Sequence, residues 1–350
     1  MKQYGMSKSF LFMKVLIAAG VYAAFLPSLQ TKAATLTISP GQSIQQAMDS
    51  LKNQGGGTLY LNPGTYVVGY GVKIYNNCTL QGASSTDRPV LKLASGKDEP
   101  VVTNASVPFT NVAARNLIID GGLSALELNY PEYYHKGGDE YNQRIASGAE
   151  SKKSLDAKIE AARLNVLGID FSDKHSDVQN NGAVVDHVLV RNSSMGINVG
   201  RTKGVTILNA LVTNNGAVKK YYHGLYLSIV DNVLIDGLEA SNTKTGMGLK
   251  LTDFYDVNDE ASIIIRNSKF NNNYDRGIAV YHMQNIRLER NEALNNQKSG
   301  INLVNCKNGY LLNNTAQGNP LVENVSYDIW LNGTTGFTLS GNVYGSKKGF

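Results

Sequence analysis

The sequence predicts an all-β chain wound as a right-handed parallel β-helix, a solenoid, with an N-terminal capping helix. The first observation is a phrase of glycine, aliphatic, any residue, aliphatic, which recurs at steps of 28, 28, 24, 29, 23 and 28 residues. Self-similarity at a period of roughly 20–50 residues is the signature of a solenoid. The copies begin at Gly168, Gly196, Gly224, Gly248, Gly277 and Gly300, and a degenerate copy begins at Asp328.

The second observation is the pattern within and after each copy. Aliphatic residues alternate with other residues, which predicts a short strand rather than a helix. Two more short strands follow, and asparagine or glycine usually closes them, as at Asn209, Asn214 and Asn267. Asparagine tolerates left-handed backbone and suits a tight corner. Three strands and three corners therefore predict one coil, with equivalent residues of successive coils about 4.8 Å apart.

Residues 1–33 are predicted to be a signal peptide. Three lysines precede an apolar run from Val15 to Leu26, which is too short to span a membrane because a span needs about 20 residues. We therefore expect a secreted, extracellular protein with no membrane segment in its mature form. Residues 34–350 are predicted to be a single parallel β-helix domain.

The charge and the cysteines limit the partners of the mature chain. The net charge is +5, but residues 1–33 hold four lysines and no acid, so the mature chain carries 5 − 4 = +1. This balance gives no reason to expect a nucleic-acid partner. Cys78 and Cys306 lie too many coils apart for a disulfide, so both are expected to be reduced and buried. No metal-ligand spacing of Cys and His is present. No sequence signal for an oligomer is present, so a monomer is expected.

Two segments depart from the repeat. The first, 43–53, is predicted to be an amphipathic helix that caps the first coil, as solenoids require. Its start is Ser43 and its apolar face consists of Ile44, Ala47, Met48 and Leu51. The second, at about 126–165, is a loop insertion whose part from 154 to 165 is predicted to be helical. A detour of this length is predicted to stand as a wall beside the coils.

The candidate site follows from the residue between the two aliphatics of each copy, because its side chain points out of the coil. In consecutive coils this outward column contains Asn198, Tyr226 and Lys250, with backbones about 5 Å apart. Long polar loops flank these coils and predict a groove. The loops are 173–181, 219–223 and 253–260. The predicted substrate-binding residues of the groove are Asn198, Arg201, Lys220, Arg276, Tyr281 and His282.

A groove of this composition suits an acidic polysaccharide and its cleavage by β-elimination. Arginine and amide donors neutralise the carboxylate, a base removes the proton alpha to it, and an acid protonates the leaving oxygen. Lys250 and Tyr226 are the predicted proton-transfer pair, in either order, and His223 is the next catalytic candidate. Each has a purely structural alternative: a solvated lysine, a stacking tyrosine and a corner histidine. The chemistry requires no cofactor. A structural or assisting calcium is compatible with it, although no calcium-loop signature is present.

With these features the chain resembles secreted bacterial β-helix polysaccharide lyases, particularly alginate lyases, and more loosely mannuronan epimerases. The resemblance rests on Pro63-Gly64-Thr65-Tyr66, on the repeated phrase with its asparagine corners, and on 275–280. It implies activity on alginate or a related polyuronate. The epimerase motif Asp-Pro-His-Glu has only a partial counterpart at 173–176, which lacks the proline and the glutamate. The Trp-x-Asp-His phrase of the pectate lyases has no counterpart at Trp330.

Alternative functions are a polyuronate epimerase, then a glycoside hydrolase or a non-catalytic polysaccharide-binding solenoid. An inverting hydrolase needs two carboxyl groups about 6.5–9.5 Å apart. Asp170 and Asp253 lie three coils apart, about 14 Å by strand spacing, which disfavours that reading. A binding solenoid would keep the groove aromatics without a lysine and tyrosine pair. The fold alone does not separate these functions.

Overall fold

Short parallel strands stack along the chain into three faces, with one strand of each face in most coils. The structure is a computed structural model that describes residues 33–128, 139–163, 165–172, 178–216, 222–253, 262–322 and 325–350. The predicted signal peptide lies outside the described residues apart from its last position, and its assignment stays a prediction. Within the described part of the chain, no helix has both the length and the apolar character needed to cross a bilayer.

The faces are named here by their order within a coil. The second face holds β1 (Ala34–Ile38), β2 (Gly57–Leu61), β5 (Cys78–Gly82), β8 (Thr110–Arg115), β11 (Asn180–Asp186), β18 (Ile263–Arg266), β20 (Gln284–Glu289), β23 (Lys307–Leu312) and β26 (Thr335–Ser340). The third face holds β3 (Thr65–Val68), β6 (Val90–Leu93), β9 (Ile118–Asp120), β12 (Leu189–Arg191), β14 (Leu211–Thr213), β16 (Glu239–Ser241), β21 (Glu292–Leu294), β24 (Thr315–Gln317) and β27 (Val343–Tyr344).

The first face carries the repeated phrase. It holds β4 (Val72–Ile74), β7 (Val102–Asn104), β10 (Leu167–Phe171), β17 (Leu249–Thr252), β19 (Ile278–Tyr281), β22 (Ile301–Val304), β25 (Ile329–Asn332) and β28 (Lys347–Lys348). Two longer strands, β13 (Met195–Leu208) and β15 (Leu225–Asp236), run through both the first and the second face. The sequence predicts separate strands for the first and the second face of each coil, and this prediction is wrong in the two coils that contain β13 and β15. A single left-handed residue, Arg201 or Ile229, turns the chain there, and pairing resumes at once from Thr202 to Val230.

The core and the corners explain why this sequence forms coils. The inward aliphatics of the first face, such as Ile197, Leu225 and Leu249, have no exposed surface and stack directly above one another. A side chain on Gly196 would place its Cβ 2.3 Å from the carbonyl oxygen of Gly224, so this copy of the phrase requires glycine at its first position. The predicted asparagine corners are confirmed: Asn209, Asn214 and Asn267 have φ of 48°, 52° and 51°.

The first coil is capped as the sequence predicts. Helix α1 (Ile44–Asn53) begins after Ser43, whose Oγ accepts a hydrogen bond from the backbone N–H of Gln46 at 3.3 Å. The apolar face of the helix packs against the first two strands of the second face. Its buried residues are Ile44, Ala47, Met48 and Leu51. The predicted burial of Cys78 and Cys306 as free thiols is also confirmed.

The predicted loop insertion contains three helices among its described residues. They are α2 (Ala125–Leu128), α3 (Asp139–Ala146) and α4 (Lys152–Ala161). The last begins two residues earlier than predicted because Ser151 caps it by accepting from the N–H of Ser154 at 3.2 Å. Arg163 ties the end of the insertion to its start through Glu127, with a shortest distance of 2.7 Å.

Candidate active site

The outward column of the first face exists as the repeat predicts. Asn198 pairs with Tyr226, and Tyr226 pairs with Lys250, in adjacent parallel strands. The column continues with Asp170 on one side and Ala279 on the other. Side chains on one face of successive parallel strands are neighbours, so the strand register alone brings these polar groups together.

Lys250 lies between two tyrosine rings. Its Nζ is 5.2 Å from the ring centre of Tyr226 and 5.9 Å from that of Tyr281, which comes from the next coil. Burial lowers the pKa of Lys250, Arg276 lowers it further, and Asp275 opposes the change. Burial also raises the pKa of the Tyr281 phenol. The site thus moves the Lys250 amine towards its neutral form and keeps the Tyr281 phenol protonated.

Two cations converge on one buried carboxylate next to this lysine. Asp275 accepts from Arg276 Nη1 at 3.0 Å and from Lys298 Nζ at 3.2 Å. Arg276 Nε is buried and has no hydrogen-bond partner among the described residues. Arg276 uses only Nη1 on Asp275, and a guanidinium has further Nη N–H groups that can pair with a second anion where they reach the surface, which the buried Nε does not. This arrangement can receive the carboxylate of a substrate.

His223 lies against Tyr226 but is buried. The two ring centres are 5.6 Å apart at an interplanar angle of 61°, and the imidazole is 1% exposed. Its Nδ1 accepts from the backbone N–H of Met247 at 3.1 Å, which places the proton of the neutral ring on Nε2. Burial, assisted by Lys250, lowers the pKa of His223 to about 3. This environment suits a neutral ring that positions Tyr226 rather than one that exchanges protons with substrate.

Asn198 is already committed to a neighbour in the column. Its Nδ2 donates to Asp170 Oδ1 at 2.8 Å, and Ser172 Oγ donates to the same oxygen at 2.5 Å. One of the two N–H groups of the amide predicted to hold a substrate carboxylate is therefore occupied by Asp170. The other side-chain atom, Oδ1, is buried without a hydrogen-bond partner among the described residues.

Three other predicted residues lie at corners or outside the described part of the chain. Arg201 and His282 occupy corners, with φ of 48° and 56°, and not the strand face that carries Tyr226 and Lys250. Lys220 lies outside the described residues, as do 173–177, 219–221 and 254–260 of the predicted loop walls. The roles of these residues stay predictions.

Sequence reasoning did not assign a role to Asp275 or Lys298. The spacing contained the signal: Lys298 follows Asp275 by 23 residues, which is the step between Gly277 and Gly300 and hence one coil. Among the described residues, no group of three or more His, Cys, Asp or Glu side chains is arranged to hold a metal. The calcium left open above therefore stays untested.

Two protein-family models match this chain. The model of the rhamnogalacturonase A/epimerase, pectate lyase-like family matches residues 40–248. This chain belongs to that family. The model of the right-handed β-helix region matches residues 179–349, which confirms the predicted handedness and fold. Membership of the pectate lyase-like family identifies this chain as a β-helix protein of a carbohydrate-active family. No curated protein sequence matches it.

Solved structures agree with this fold. The family 28 exopolygalacturonase of Yersinia enterocolitica is 14% identical, with a TM-score of 0.52, over 89% of this chain and 67% of that one. The A-module of the mannuronan C-5 epimerase AlgE4 of Azotobacter vinelandii is 17% identical, with a TM-score of 0.50, over 87% of this pectate lyase-like chain and 85% of that one. At such identities the likeness is one of fold.

Proposed function

We propose that this protein is a polysaccharide lyase that cleaves an acidic polyuronate by β-elimination in a groove along the first face. One observation carries the proposal. Lys250, whose pKa burial lowers, lies between two tyrosine rings and beside a guanidinium. A base, an acid and a carboxylate-binding cation are the three groups that this elimination requires.

Each group has a step in the reaction. Arg276 pairs with the substrate carboxylate and thereby acidifies the proton alpha to it. The neutral amine of Lys250 takes that proton, the electron pair of the C–H bond forms the new carbon–carbon double bond, and the glycosidic C–O bond breaks. A tyrosine phenol gives its proton to the leaving oxygen. We assign Lys250 as the base because its pKa is lowered.

Two phenols compete for the role of acid. Tyr226 is the residue predicted from the sequence, and Tyr281 is the second ring beside Lys250. The raised pKa of Tyr281 keeps it protonated for donation. Tyr226→Phe and Tyr281→Phe separate the two roles, since only the acid variant should recover on a substrate whose leaving group needs no proton.

A polyuronate epimerase is the second candidate, because it shares the same first step. An epimerase also removes the proton alpha to the carboxylate, but it returns a proton to the opposite face without breaking the chain. The tyrosine rings around Lys250 provide phenols for either reaction. The fate of the glycosidic bond therefore distinguishes the two candidates.

The test is incubation of the purified protein with alginate, pectate and other acidic glycans, followed by ultraviolet absorbance of the unsaturated uronate. We expect absorbance to rise with one substrate, and alginate is our first choice from the resemblance. New reducing ends without absorbance would mean a hydrolase. Exchange of solvent deuterium into an intact polymer would mean an epimerase. If the assays show no absorbance, no new reducing ends and no deuterium exchange, the result would favour a binding solenoid.

A further inference from the structure

A second group of aromatic and cationic side chains lies at the far end of the same outward column. The register runs from Lys250 to Ala279, then Asn302, Trp330 and Lys348, one strand at a time. Trp330 is three strand spacings from Lys250, about 14 Å, which is comparable to the length of a trisaccharide. Lys348 is one strand farther on.

The indole of Trp330 is held against a buried neighbour. Its ring centre is 5.7 Å from that of Tyr327 at an interplanar angle of 62°, and Tyr327 is 8% exposed. Trp330 itself is only partly buried. Edge-to-face packing of this kind fixes the orientation of a ring, so the partly accessible indole is held in one position in the outward column.

Lys348 is placed next to the indole by the strand that carries it. Its Nζ lies 5.7 Å from the ring centre of Tyr327. The preceding turn is anchored because Asp328 accepts from the backbone N–H groups of Gly345 and Ser346 at 2.8 and 2.9 Å. These bonds fix β28 to the previous coil and hold the ammonium one strand from Trp330.

We propose that Trp330 and Lys348 form a distal subsite that holds an acidic sugar ring of the polymer whose bond is cleaved at Lys250. The indole stacks on the apolar C–H face of the ring, and the ammonium pairs with its carboxylate. The inference rests on the proposed function in one respect, that the groove binds an acidic polysaccharide. Ala279 and Asn302, which lie between, are buried and offer little surface for contact, so the proposal places the contacts with the polymer at Lys250 and at Trp330.

Two contacts on one chain predict a dependence on chain length. A substrate long enough to reach both ends gains the second contact as an intramolecular event, whereas a disaccharide does not. The distal subsite should therefore lower the KM for hexasaccharides and polymer and leave the KM for the shortest substrates unchanged. It should leave kcat unchanged because it does not touch the reacting bond.

The chain supplies its own probe, because Trp330 is the single tryptophan of the sequence. We would titrate the Lys250→Ala variant with alginate and pectate oligosaccharides from disaccharide to hexasaccharide and follow tryptophan fluorescence. We expect a saturable change with oligomers that span both ends and none with disaccharides. Adding Lys348→Gln should weaken that binding about tenfold, which corresponds to about 1.4 kcal/mol.

The adjacent lysine is the matched control. Lys347 lies over the rings of Tyr344 and Phe350, at 5.4 and 4.8 Å, and is not on the column. Adding Lys347→Gln removes the same charge and should leave the titration unchanged. As a second readout in the active protein, Trp330→Ala should raise KM for polymer only. Tyr310→Ala, which removes an exposed ring from the second face, should not.

The outcomes separate the two proposals. A length-dependent fluorescence change without unsaturated product from the active protein would keep the subsite and remove the lyase assignment. Unsaturated product without a fluorescence change at any length, or equal effects of Lys347→Gln and Lys348→Gln, would overturn the subsite and keep the lyase. The absence of both signals would overturn both.

Discussion

Two stacks of polar side chains run through the same coils, and they differ in how their hydrogen bonds are completed. In the asparagine ladder of the third corner, Asn296 Oδ1 accepts from both the backbone N–H and the side chain of Asn273, at 3.0 and 2.9 Å. Asn296 donates in the same way to Asn319. In the site, buried polar atoms of His223, Thr252 and Arg276 have no partner among the described residues.

The difference indicates two uses of stacked polar residues. A ladder in which the buried amides of Asn273, Asn296 and Asn319 pair with one another stabilises the coils and fixes their register. A cluster that leaves buried polar atoms unpaired costs about 1–3 kcal/mol for each atom. Unpaired buried polar atoms are uncommon in folded proteins and are found at catalytic positions more often than in structural ladders. Substitutions in the site should therefore change activity, and substitutions in the ladder should change stability.

The largest effect is expected for Lys250→Ala. Loss of the general base should lower kcat by about 10²–10⁴-fold, while the free energy of unfolding should change little because the side chain is half-buried at the surface of the sheet. Ultraviolet absorbance measures the first and urea unfolding the second. Lys307→Ala, an exposed lysine of the second face, is the control and should match the parent protein. Activity near that of the parent would exclude Lys250 as the base.

The ladder should respond in the opposite way to Asn296→Ala. The change removes the acceptor of the backbone N–H and of one side-chain N–H of Asn273, whereas Asn319 Oδ1 keeps its bond to the backbone N–H of residue 296. We expect a loss of about 3 kcal/mol in the free energy of unfolding, because two buried donors lose their partner. Turnover per folded molecule should stay near that of the parent. Urea unfolding and the absorbance assay measure the two.

The matched control for the ladder is Asn302→Ala. Asn302 is also buried, in the next coil, but its Oδ1 has no hydrogen-bond partner among the described residues. Within the described part of the chain, removing Asn302 Oδ1 deprives no donor of its acceptor. The loss in the free energy of unfolding should therefore be clearly smaller than for Asn296→Ala. Equal losses would mean that packing of the amide, and not completion of its hydrogen bonds, accounts for the stability of the ladder.

Much of this arrangement could be predicted from spacing, because in a solenoid a sequence step is a distance. The recurrence of the glycine phrase predicts that Tyr226 and Lys250 are neighbours, and the strand register places them so. The alternation predicts which side chains point inward. The residues of the coil interior and of the first face could therefore be predicted from the sequence alone.

The directions of the side chains at the corners could not be predicted in the same way. A single left-handed residue decides where the following side chains point, and period-two alternation does not specify it. His223, which lies in a polar corner of the sequence just before its strand, is buried against the ring of Tyr226, and the sequence does not reveal this burial. Asp275 was overlooked because its partners come from the next residue and from the next coil. The walls of the groove depend on such corners.

Acid should destabilise the protein through His223. Its folded pKa of about 3 lies below the ordinary value of 6.5, so the unfolded state binds the proton more readily. The stability is complete above pH 6.5 and is lost as the pH falls towards 3, by about 1.4 kcal/mol for each pH unit. Urea unfolding at pH 7.5 and pH 5 measures the loss. The same comparison for His223→Gln should show a smaller dependence, and an equal one would assign the acid sensitivity to other groups.

The smallest effect should be a shift in the pH profile of kcat/KM for Asp275→Asn. The Asp275 carboxylate raises the pKa of Lys250, against the lowering by burial and by Arg276. Its removal should lower that pKa, so a larger fraction of Lys250 is neutral and the acid limb moves to lower pH, on the order of one pH unit. Arg276→Gln should move the limb to higher pH, because it removes a positive charge. A shift in the same direction for both variants would mean that Lys250 does not set the limb. Opposite shifts are expected for the Lys250 amine, but Asp275 and Arg276 act in the same directions on the pKa of the Tyr281 phenol. Opposite shifts that persist when Tyr281→Phe is added would therefore identify the free amine of Lys250 as the base, because the phenol is then absent.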